Sequence, residues 1–361
     1  MKTGLLTRFL CIAASAFALA QPVQAATSGE LESAFDAAFT AAPAPAVKVA
    51  PKLTPRAPVP GFQLLPVPAQ PRAEAYSGNP FEAQLAALAD GSMGRIGVAA
   101  LDLETGRTVA VLGDQPFPMA STSKIAIVAT FLAGVDAGRF TLTQQFPLLM
   151  PLPSKKFDGA VAPVRAGTML SAIELIEAAI TRSDNHATDA LLAAVGGPQA
   201  VTRWVQANTG ITEFRLDRDI ATLVRDDGAV NPAVSIDRRD SVTPLAMVRL
   251  LSGLYRGRWL SAESRDVLMG AMSRCITGKN RIRGQLPEGV AVAHKTGTLS
   301  NTASDVGFIS TPDGRDLAVA IYVTGQGGKA ERAARIATLA RAIYDGYLAE
   351  SPGNRRAALR R

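Results

Sequence analysis

Strand-type patterns occur near both ends of the regularly patterned part of this chain, and helix-type patterns lie between them. Apolar alternation predicts strands at 95–103, 108–112, 290–295, 304–310 and 317–323. Helical spacing dominates from Lys124 to about Ala207 and returns at 331–348. Because a domain is built from layers packed around one core, this order predicts a sheet formed from both ends of the chain and a helical insertion between them.

The N-terminus is typical of a secretory signal peptide. Lys2 and Arg8 supply positive charge, and Phe9 to Ala20 form an apolar segment that is short for a membrane span. Two small-residue sequences, Ala18-Leu19-Ala20 and Val23-Gln24-Ala25, are candidate cleavage sites, and we favour the second because polar residues resume at Thr27. We therefore expect a cleaved, exported protein that is periplasmic or secreted.

Proline dominates the segment that follows. Nine prolines fall within the 29 residues from Pro43 to Pro71, which disfavours helices and inner strands and is typical of an extended spacer. We expect the chain to divide into a signal peptide at 1–25, a proline-rich disordered linker at 26–79, a regularly patterned domain at 80–350 and a basic disordered tail at 351–361. Within this domain, we expect the α/β part at about 80–118 and 255–350, and the helical part at about 119–254.

The formal net charge of +7 does not indicate a nucleic-acid-binding protein. Two positive charges lie in the signal peptide and four in the tail, and residues 26–79 are balanced, which leaves +1 on residues 80–350. Nucleic-acid binding needs basic residues concentrated on one face, so we expect no such partner. The few histidines and cysteines cannot form a zinc cluster, and no phosphate or dinucleotide fingerprint occurs, so we expect no metal and no cofactor.

Ser121-Thr122-Ser123-Lys124 is the only Ser-x-x-Lys sequence in the chain, and it precedes a helix-type run. Residues three apart share a face of a helix, so the lysine amine can reach the serine hydroxyl and accept its proton. The helix N-terminus adds backbone donors for a developing oxyanion. The spacing is compatible with a serine nucleophile, although the same spacing also occurs on many solvated helix faces.

Two further motifs follow in order: Ser-Asp-Asn at 183–185 and Lys-Thr-Gly at 295–297. Together with Ser-x-x-Lys, they resemble the three-motif signature of class A serine β-lactamases and penicillin-binding proteins. The resemblance extends from about residue 80 to residue 347. It implies the serine β-lactamase/DD-peptidase fold, in which an α/β part, with an antiparallel sheet flanked by helices, carries an inserted all-α domain.

The resemblance implies four catalytic residues. Ser121 would attack the lactam carbonyl, with Lys124 as proton acceptor. Ser183, polarised by Lys124 and Lys295, would pass a proton to the departing lactam nitrogen, and Lys295 would also bind the substrate carboxylate. The backbone N–H groups of Ser121 and Thr298 would form the oxyanion hole.

Five substrate-binding residues are implied in the same way: Asn185, Thr296, Gly297, Thr298 and Arg281. Asn185 would hold the amide of the substrate side chain, and Thr296 would share the carboxylate with Lys295. The strand at 296–298 would pair with the substrate as an added strand, and Gly297 would permit that close approach. Arg281 would support carboxylate binding, unless it lies on an exposed turn.

One position departs from the family pattern. In class A β-lactamases, a glutamate two residues beyond an Arg-Leu-Asp-Arg stretch activates the water that hydrolyses the acyl-enzyme. That position is Ile220 here, and isoleucine cannot accept a proton. Three carboxylates could substitute for it: Asp219, Asp226 and Asp227. The last two lie in a loop that is about seven residues longer than usual, where we favour an exposed acidic turn at Asp227-Gly228 as their interpretation.

These residues predict a serine hydrolase that forms an acyl-enzyme on β-lactams and hydrolyses it, slowly if no carboxylate replaces the glutamate. Two alternatives stay open. One is a penicillin-binding DD-peptidase acting on the D-Ala-D-Ala ends of peptidoglycan, and the other is a non-catalytic β-lactam sensor or cell-wall-binding module. We expect β-lactam antibiotics or peptidoglycan stem peptides as binding partners, and a monomeric protein.

Overall fold

The computed structural model describes residues 64–68, 73–76, 78–89 and 91–350. The predicted signal peptide, most of the predicted linker and the basic tail lie outside the described residues. The strands are β1 (Leu64–Pro66), β2 (Gly94–Asp102), β3 (Thr108–Val111), β4 (Phe117–Pro118), β5 (Gln145–Pro151), β6 (Val164–Ser171), β7 (Phe214–Arg215), β8 (Ser235–Asp237), β9 (Ser241–Val242), β10 (Val292–Leu299), β11 (Thr302–Ser310) and β12 (Asp316–Gly325). The α-helices are α1 (Pro80–Leu88), α2 (Lys124–Asp136), α3 (Ala172–Thr181), α4 (Asn185–Ala194), α5 (Pro198–Thr209), α6 (Ile220–Arg225), α7 (Pro244–Tyr255), α8 (Ala262–Ser273) and α9 (Lys329–Ala349).

The central sheet is antiparallel and has the strand order β10–β11–β12–β2–β3. Strands from the two ends of the domain meet where β2 pairs with β12, with Asp102 opposite Leu317. Strands β2, β3, β11 and β12 begin and end within two residues of their predicted limits, while β10 continues four residues further, through the Lys-Thr-Gly motif. That motif therefore lies on an edge strand of the sheet, where a ligand can approach its backbone.

Three helices cover the sheet. Helix α9 packs against β11 and β12, α1 packs against α9 and β3, and α7 packs against β2 and β12. The core between these layers is aliphatic and includes Ile96, Val98, Val319 and Ile321, all fully buried. Helix α7 lies mostly in the range predicted for the helical part, yet its apolar face is buried on the sheet.

Helix α2 is the centre of the helical part. It is apolar on every side, and such a helix must be buried all round; helices α3, α4, α5 and α8 pack around it. Its first residue, Lys124, is fully buried despite its charge. A lysine in that position requires polar partners from neighbouring segments.

Local sequence determines where two helices near the site begin. A capping box starts α3, in which the Ser171 N–H and hydroxyl both bind the Glu174 carboxylate at 2.8 and 2.5 Å. Asp184 caps α4 by accepting a hydrogen bond from the Ala187 N–H at 2.8 Å. Asp184, the middle residue of the Ser-Asp-Asn motif, therefore stabilises the start of α4.

Several short sheets were not predicted. The hairpin β5–β6 lies within the range predicted to be helical. Strands β4, β9 and β7 form a separate three-stranded sheet in that order. Strand β1 and a 3₁₀ helix at Ala73–Tyr76 fall within the range interpreted as linker, and β1 pairs with β8. Among the residues that the structure describes, no helix is both long enough and apolar enough to cross a membrane.

Candidate active site

Ser121 lies in a tight 3₁₀ turn, Ala120–Ser123, that leads directly into α2. The hydroxyls of Thr122 and Ser123 donate to the carbonyls of Met119 and Ala120 at 2.7 and 2.9 Å. The hydroxyls of Thr122 and Ser123 therefore stabilise the turn itself. Ala120 has a φ of 49°, a conformation that costs free energy for a non-glycine residue and concentrates at functional sites.

Two buried lysines meet at Ser183. Lys124 Nζ donates to the Ser183 carbonyl at 2.5 Å and to Asn185 Oδ1 at 2.8 Å, and it lies 3.3 Å from Ser183 Oγ. Lys295 Nζ donates to Ser183 Oγ at 2.8 Å. Ser183 has a φ of 61°, so its backbone is held in the left-handed region that presents the hydroxyl between the two amines. All three motifs contribute to this one cluster.

The electrostatics of the cluster favour proton transfer. Burial, and secondarily the charge of Lys295, hold the pKa of Lys124 well below its usual range. Burial also lowers the pKa of Lys295 to about 8. A lysine with a lowered pKa has a substantial neutral fraction near neutral pH and can act as a general base. The arrangement can therefore remove a proton from a hydroxyl and deliver it elsewhere.

Gly297 brings the edge strand β10 against the turn that carries Ser121. A Cβ atom at this position would lie 2.7 Å from the Met119 carbonyl oxygen and 2.4 Å from Ser304 Oγ. Only glycine leaves room for this approach. The backbone of Thr298, which was assigned to the oxyanion hole, follows immediately on the same strand.

Arg281 is buried behind β10 rather than exposed on a turn. Its guanidinium donates to the carbonyls of Gly297 and Ser304 at 2.9 and 3.0 Å, and to Thr298 Oγ1 at 2.7 Å. This residue thus holds strand β10 from within the protein. Its contact with a substrate carboxylate stays a prediction.

A second buried cluster lies behind the same strand and was not predicted. His294 Nδ1 lies 2.8 Å from an Asp305 carboxylate oxygen, and both side chains are fully buried. Burial alone would lower the pKa of His294, but Asp305 and Cys275 together outweigh burial and raise it to about 9. Cys275 lies nearby: burial alone would raise the pKa of its thiol, but His294, Lys295 and Thr277 together outweigh burial and lower it to about 7. Residue 294 precedes the Lys-Thr-Gly motif, which is the only sequence signal for this cluster.

The loop that carries Ile220 at the family's glutamate position is closed at its base by an ion pair. Arg218 Nε lies 2.6 Å from Asp240 Oδ2, and the other oxygen of Asp240 accepts the backbone N–H groups of Asp217 and Arg218. Ile220 is the first residue of α6 and lies in the hydrophobic core, with only 2% of its surface exposed. No proton acceptor is supplied at this position.

The three substitute carboxylates are each bound to groups of the loop or its neighbours. Asp219 caps α6 by accepting the Thr222 N–H at 2.7 Å. Asp226 is buried between Arg225 at 2.8 Å and Arg218 at 3.8 Å. Asp227 accepts the N–H of residue 300, beyond the end of β10, at 2.9 and 3.0 Å. The structure does not gather them at Ser121, and their role in hydrolysis stays a prediction.

Asp189 is a buried carboxylate near the site that sequence reasoning missed. Its two oxygens accept the N–H groups of Ile220 and Ala221 at 2.7 and 2.9 Å, which fixes the start of α6. Burial raises the pKa of Asp189 to about 7. Its position four residues after Asn185 places it on the same helix face, and that spacing was the available signal.

Within the described residues, no cluster of three or more His, Cys, Asp or Glu side chains could hold a metal ion. The site is thus composed of two lysines, serine hydroxyls and strand backbone. Buried amines aimed at hydroxyls, beside a strand edge, suit nucleophilic attack by a serine and proton relay to a leaving group.

Comparison with known proteins identifies the family. Residues 80–347 match a family model described as the beta-lactamase enzyme family. The chain is 35% identical over 272 residues to β-lactamase CTX-M-25 of Escherichia coli, and 32% identical over 275 residues to β-lactamase Toho-1 of Escherichia coli. Each alignment covers 74% of this chain and 90% of the relative.

Solved structures agree with these relatives. An ancestral class A β-lactamase superposes with a TM-score of 0.63 at 37% identity, covering 74% of this chain and 99% of that one. A β-lactamase from Chitinophaga pinensis superposes with a TM-score of 0.65 at 28% identity, covering 74% of this chain and all of that one. The predicted resemblance and fold class are confirmed, and the chain belongs to the class A β-lactamase family of serine hydrolases.

Proposed function

We propose that this protein acylates Ser121 with β-lactams and then hydrolyses the ester slowly. The observation that carries the proposal is the meeting of Lys124 and Lys295 at the hydroxyl of Ser183. Retention of this buried, costly arrangement of two amines favours a chemical role over simple binding. Membership of a β-lactamase family supports β-lactams as the substrate class.

Acylation follows from the geometry of the two amines. Neutral Lys124 accepts the proton of Ser121 as the hydroxyl oxygen attacks the lactam carbonyl. The C–N bond of the lactam breaks, and the nitrogen takes a proton from Ser183, whose hydroxyl is polarised by Lys295. The proton held by Lys124, which lies 3.3 Å from Ser183 Oγ, then restores that hydroxyl. Protons balance, and the product is an ester on Ser121.

Hydrolysis of that ester needs a base that deprotonates water, and the position that carries the glutamate base in the family is an isoleucine in this protein. Ile220 is buried in the core, and the three candidate aspartates bind backbone N–H groups or arginines. General base catalysis typically contributes about 10²- to 10⁴-fold. We therefore expect acylation to outpace hydrolysis by a large factor.

Export to the periplasm is part of the same proposal. The positive charges of Lys2 and Arg8, the apolar segment Phe9 to Ala20 and the cleavage sequence ending at Ala25 support it. Expression of the full chain, followed by cell fractionation and N-terminal sequencing, tests both cleavage and compartment. A chain that stays in the cytoplasm with its N-terminus intact contradicts this part.

A chromogenic cephalosporin tests the function. Purified protein should give a burst of about one equivalent of product, followed by a slow steady state. Ser121→Ala should abolish the burst and the covalent adduct seen by mass spectrometry. The matched control Ser123→Ala removes a hydroxyl two residues away that binds only its own turn, and it should keep the adduct. An adduct on any residue other than Ser121 refutes the assignment.

A DD-peptidase is the second candidate, and the apolar residue at 220 is the observation that favours it. The missing glutamate belongs to deacylation, the step that separates a class A β-lactamase from a penicillin-binding protein. The test is release of D-alanine from a peptide that ends in D-Ala-D-Ala, measured beside lactam hydrolysis. Release of D-alanine that depends on Ser121 would favour this reading, and a stable adduct without turnover on either substrate would favour a sensor.

A further inference from the structure

A path of side-chain contacts leads from the buried Cys275 thiol to strand β10. Cys275 lies just beyond the end of α8, and its sulfur lies 3.3 Å from Thr277 Oγ1 and 4.0 Å from the Thr277 carbonyl oxygen. Thr277 Oγ1 in turn lies 2.7 Å from Thr296 Oγ1. The path therefore ends at the middle residue of the Lys-Thr-Gly motif, one residue after the buried Lys295.

Close packing holds the Thr296 side chain on this path. A Cβ atom on Gly278 would lie 2.4 Å from Thr296 Cγ2, so the threonine methyl packs tightly against the backbone of residue 278. Thr296 itself is buried. A hydroxyl has one proton to donate and two lone pairs that accept. The Thr296 proton can therefore serve either Thr277 or a ligand in front of the strand, but not both at full strength.

The direction of the hydrogen bonds depends on whether Cys275 carries a proton. A thiol donates to Thr277 Oγ1, the Thr277 proton is donated to Thr296, and the Thr296 proton is left for a ligand. A thiolate accepts the Thr277 proton instead, so Thr277 accepts the proton of Thr296. The Thr296 oxygen then presents only lone pairs to the ligand, and an anionic ligand loses a donor.

Charged groups from neighbouring segments surround the thiol. His294 on β10 interacts with Cys275, and its Nδ1 lies 2.8 Å from an Asp305 oxygen on β11. The other ring nitrogen of His294 lies 3.3 Å from Nε of Arg283, on the segment that precedes β10. Lys295 adds a further positive charge. These groups, with Thr277, outweigh burial and lower the pKa of the thiol to about 7, so both its forms are populated near neutral pH.

Two other charged residues of these segments have partners of their own. Arg274, next to Cys275 in sequence, binds the Glu177 carboxylate at 2.8 and 3.0 Å. Arg281 donates to the carbonyls of Gly297 and Ser304 behind β10. The ionisation of the thiol is therefore set mainly by burial and by the groups on β10.

We propose that Cys275 and Thr277 are positioning residues for the substrate carboxylate, and that loss of the Cys275 proton turns the Thr296 hydroxyl away from it. The inference rests on the proposed function, in which Lys295 and Thr296 bind that carboxylate. Because the folded thiol has a pKa of about 7, capture of the carboxylate should be strongest below that pH and should weaken as the pH rises through it.

Cys275→Ser tests this inference with benzylpenicillin, which carries the carboxylate. A serine hydroxyl keeps its proton at every pH of the assay and can donate to Thr277 throughout. Stopped-flow acylation of Ser121, followed from about pH 5.5 to about pH 9, separates the binding constant of the lactam from the limiting rate. Titration of Lys124 and Lys295 occurs in both proteins, so the readout is the ratio of wild type to variant at each pH.

The ratio of affinities should be near one at the acidic end and should fall by about tenfold or more at the alkaline end, the lower range for a lost hydrogen bond to a charged group. The ratio of limiting rates should stay constant, because the carboxylate does not take part in bond breaking. Thr277→Val removes the intermediate hydroxyl and should abolish the same fall in affinity, and it serves if Cys275→Ser does not fold. The control Ser273→Ala removes a hydroxyl bound to the Gly270 carbonyl, two residues from Cys275, and should keep the wild-type pH profile.

The contrary results are distinguishable. Affinity ratios that stay flat with pH for both Cys275→Ser and Thr277→Val overturn the inference while the proposed function stands. A fall confined to the limiting rate also overturns it, because the thiol would then act on the chemical step instead of on the carboxylate. A wild-type protein that forms no adduct on Ser121 at any pH overturns the proposed function, and the inference with it.

Discussion

Replacing Gly297 by alanine places a methyl group against the backbone that supports the nucleophile. The new Cβ would lie 2.7 Å from the Met119 carbonyl oxygen, 2.4 Å from Ser304 Oγ and 3.1 Å from Ala120 Cβ. Cβ atoms essentially never approach other atoms more closely than 3.0 Å. The serine hydroxyl can rotate away, but the backbone carbonyl cannot. Strand β10 must therefore move by roughly half an ångström from the turn that carries Ser121.

This displacement should lower both stability and rate. Overpacking of a close-packed site typically costs about 1–3 kcal/mol, which in a domain of this size corresponds to a fall in Tm of roughly 2–10 °C. A misplacement of about 1 Å costs about 10²-fold in rate, so we expect acylation of Ser121 to slow by about tenfold or more. Differential scanning calorimetry and stopped-flow acylation measure the two effects.

A matched glycine provides the control. Gly270 lies within α8, where a new Cβ would meet only the flexible end of Arg274 at 3.2 Å. Gly270→Ala should leave acylation unchanged and raise stability by up to about 1 kcal/mol, because alanine favours a helix. Ser304→Gly added to Gly297→Ala should recover only part of the loss, since the Met119 contact remains. A Gly297→Ala protein with wild-type Tm and wild-type acylation refutes the reasoning.

Three further changes test other parts of the site. Arg281→Ala removes charge-assisted hydrogen bonds to β10, worth about 1.5–3 kcal/mol each. It should lower Tm and should slow acylation by about ten- to a hundredfold. An unchanged acylation rate would show that this residue is not part of the site. Asp305→Asn should remove the stabilisation of protonated His294, whose pKa is raised in the folded protein. The resulting loss of unfolding free energy should be full below about pH 6.5 and should vanish as the pH rises through about 9. A loss that does not depend on pH contradicts this prediction. Ile220→Glu should speed the slow phase of lactam turnover by about 10²-fold or more, because it restores a base for water. It should also lower Tm, because the new carboxylate is buried near Asp189. Steady-state kinetics and thermal denaturation measure the two effects, and an unchanged slow phase contradicts the prediction.

The sequence predicted the elements whose patterns are local. Helix α3 lies in the range where helical spacing was predicted, and β2 and β12 have apolar runs that match their burial. The three motifs could be ordered and assigned roles because each is contiguous. Their juxtaposition at Ser183 was an implication of the family resemblance, and the structure places the two lysines there.

What the sequence did not reveal depends on contacts between distant segments. Asp189 resembles any acidic residue on a helix until α6 is packed over it. His294 and Asp305 face each other only because β10 and β11 are paired. Strand β5 is mostly half-buried and carries Pro147 and Pro151, and β6 is largely exposed, so neither alternation nor propensity distinguishes them from a loop.

The pairing of β2 with β12 has a consequence for biosynthesis. More than two hundred residues separate the paired positions Asp102 and Leu317. At about 5 to 20 residues per second, the ribosome adds that stretch in roughly 10 to 40 s. During this time β2 has a partner on one side only, and its other edge is an apolar template for unwanted association. Lys295, which donates to Ser183, lies on one of the late strands, so the active site also cannot assemble before these strands have been made.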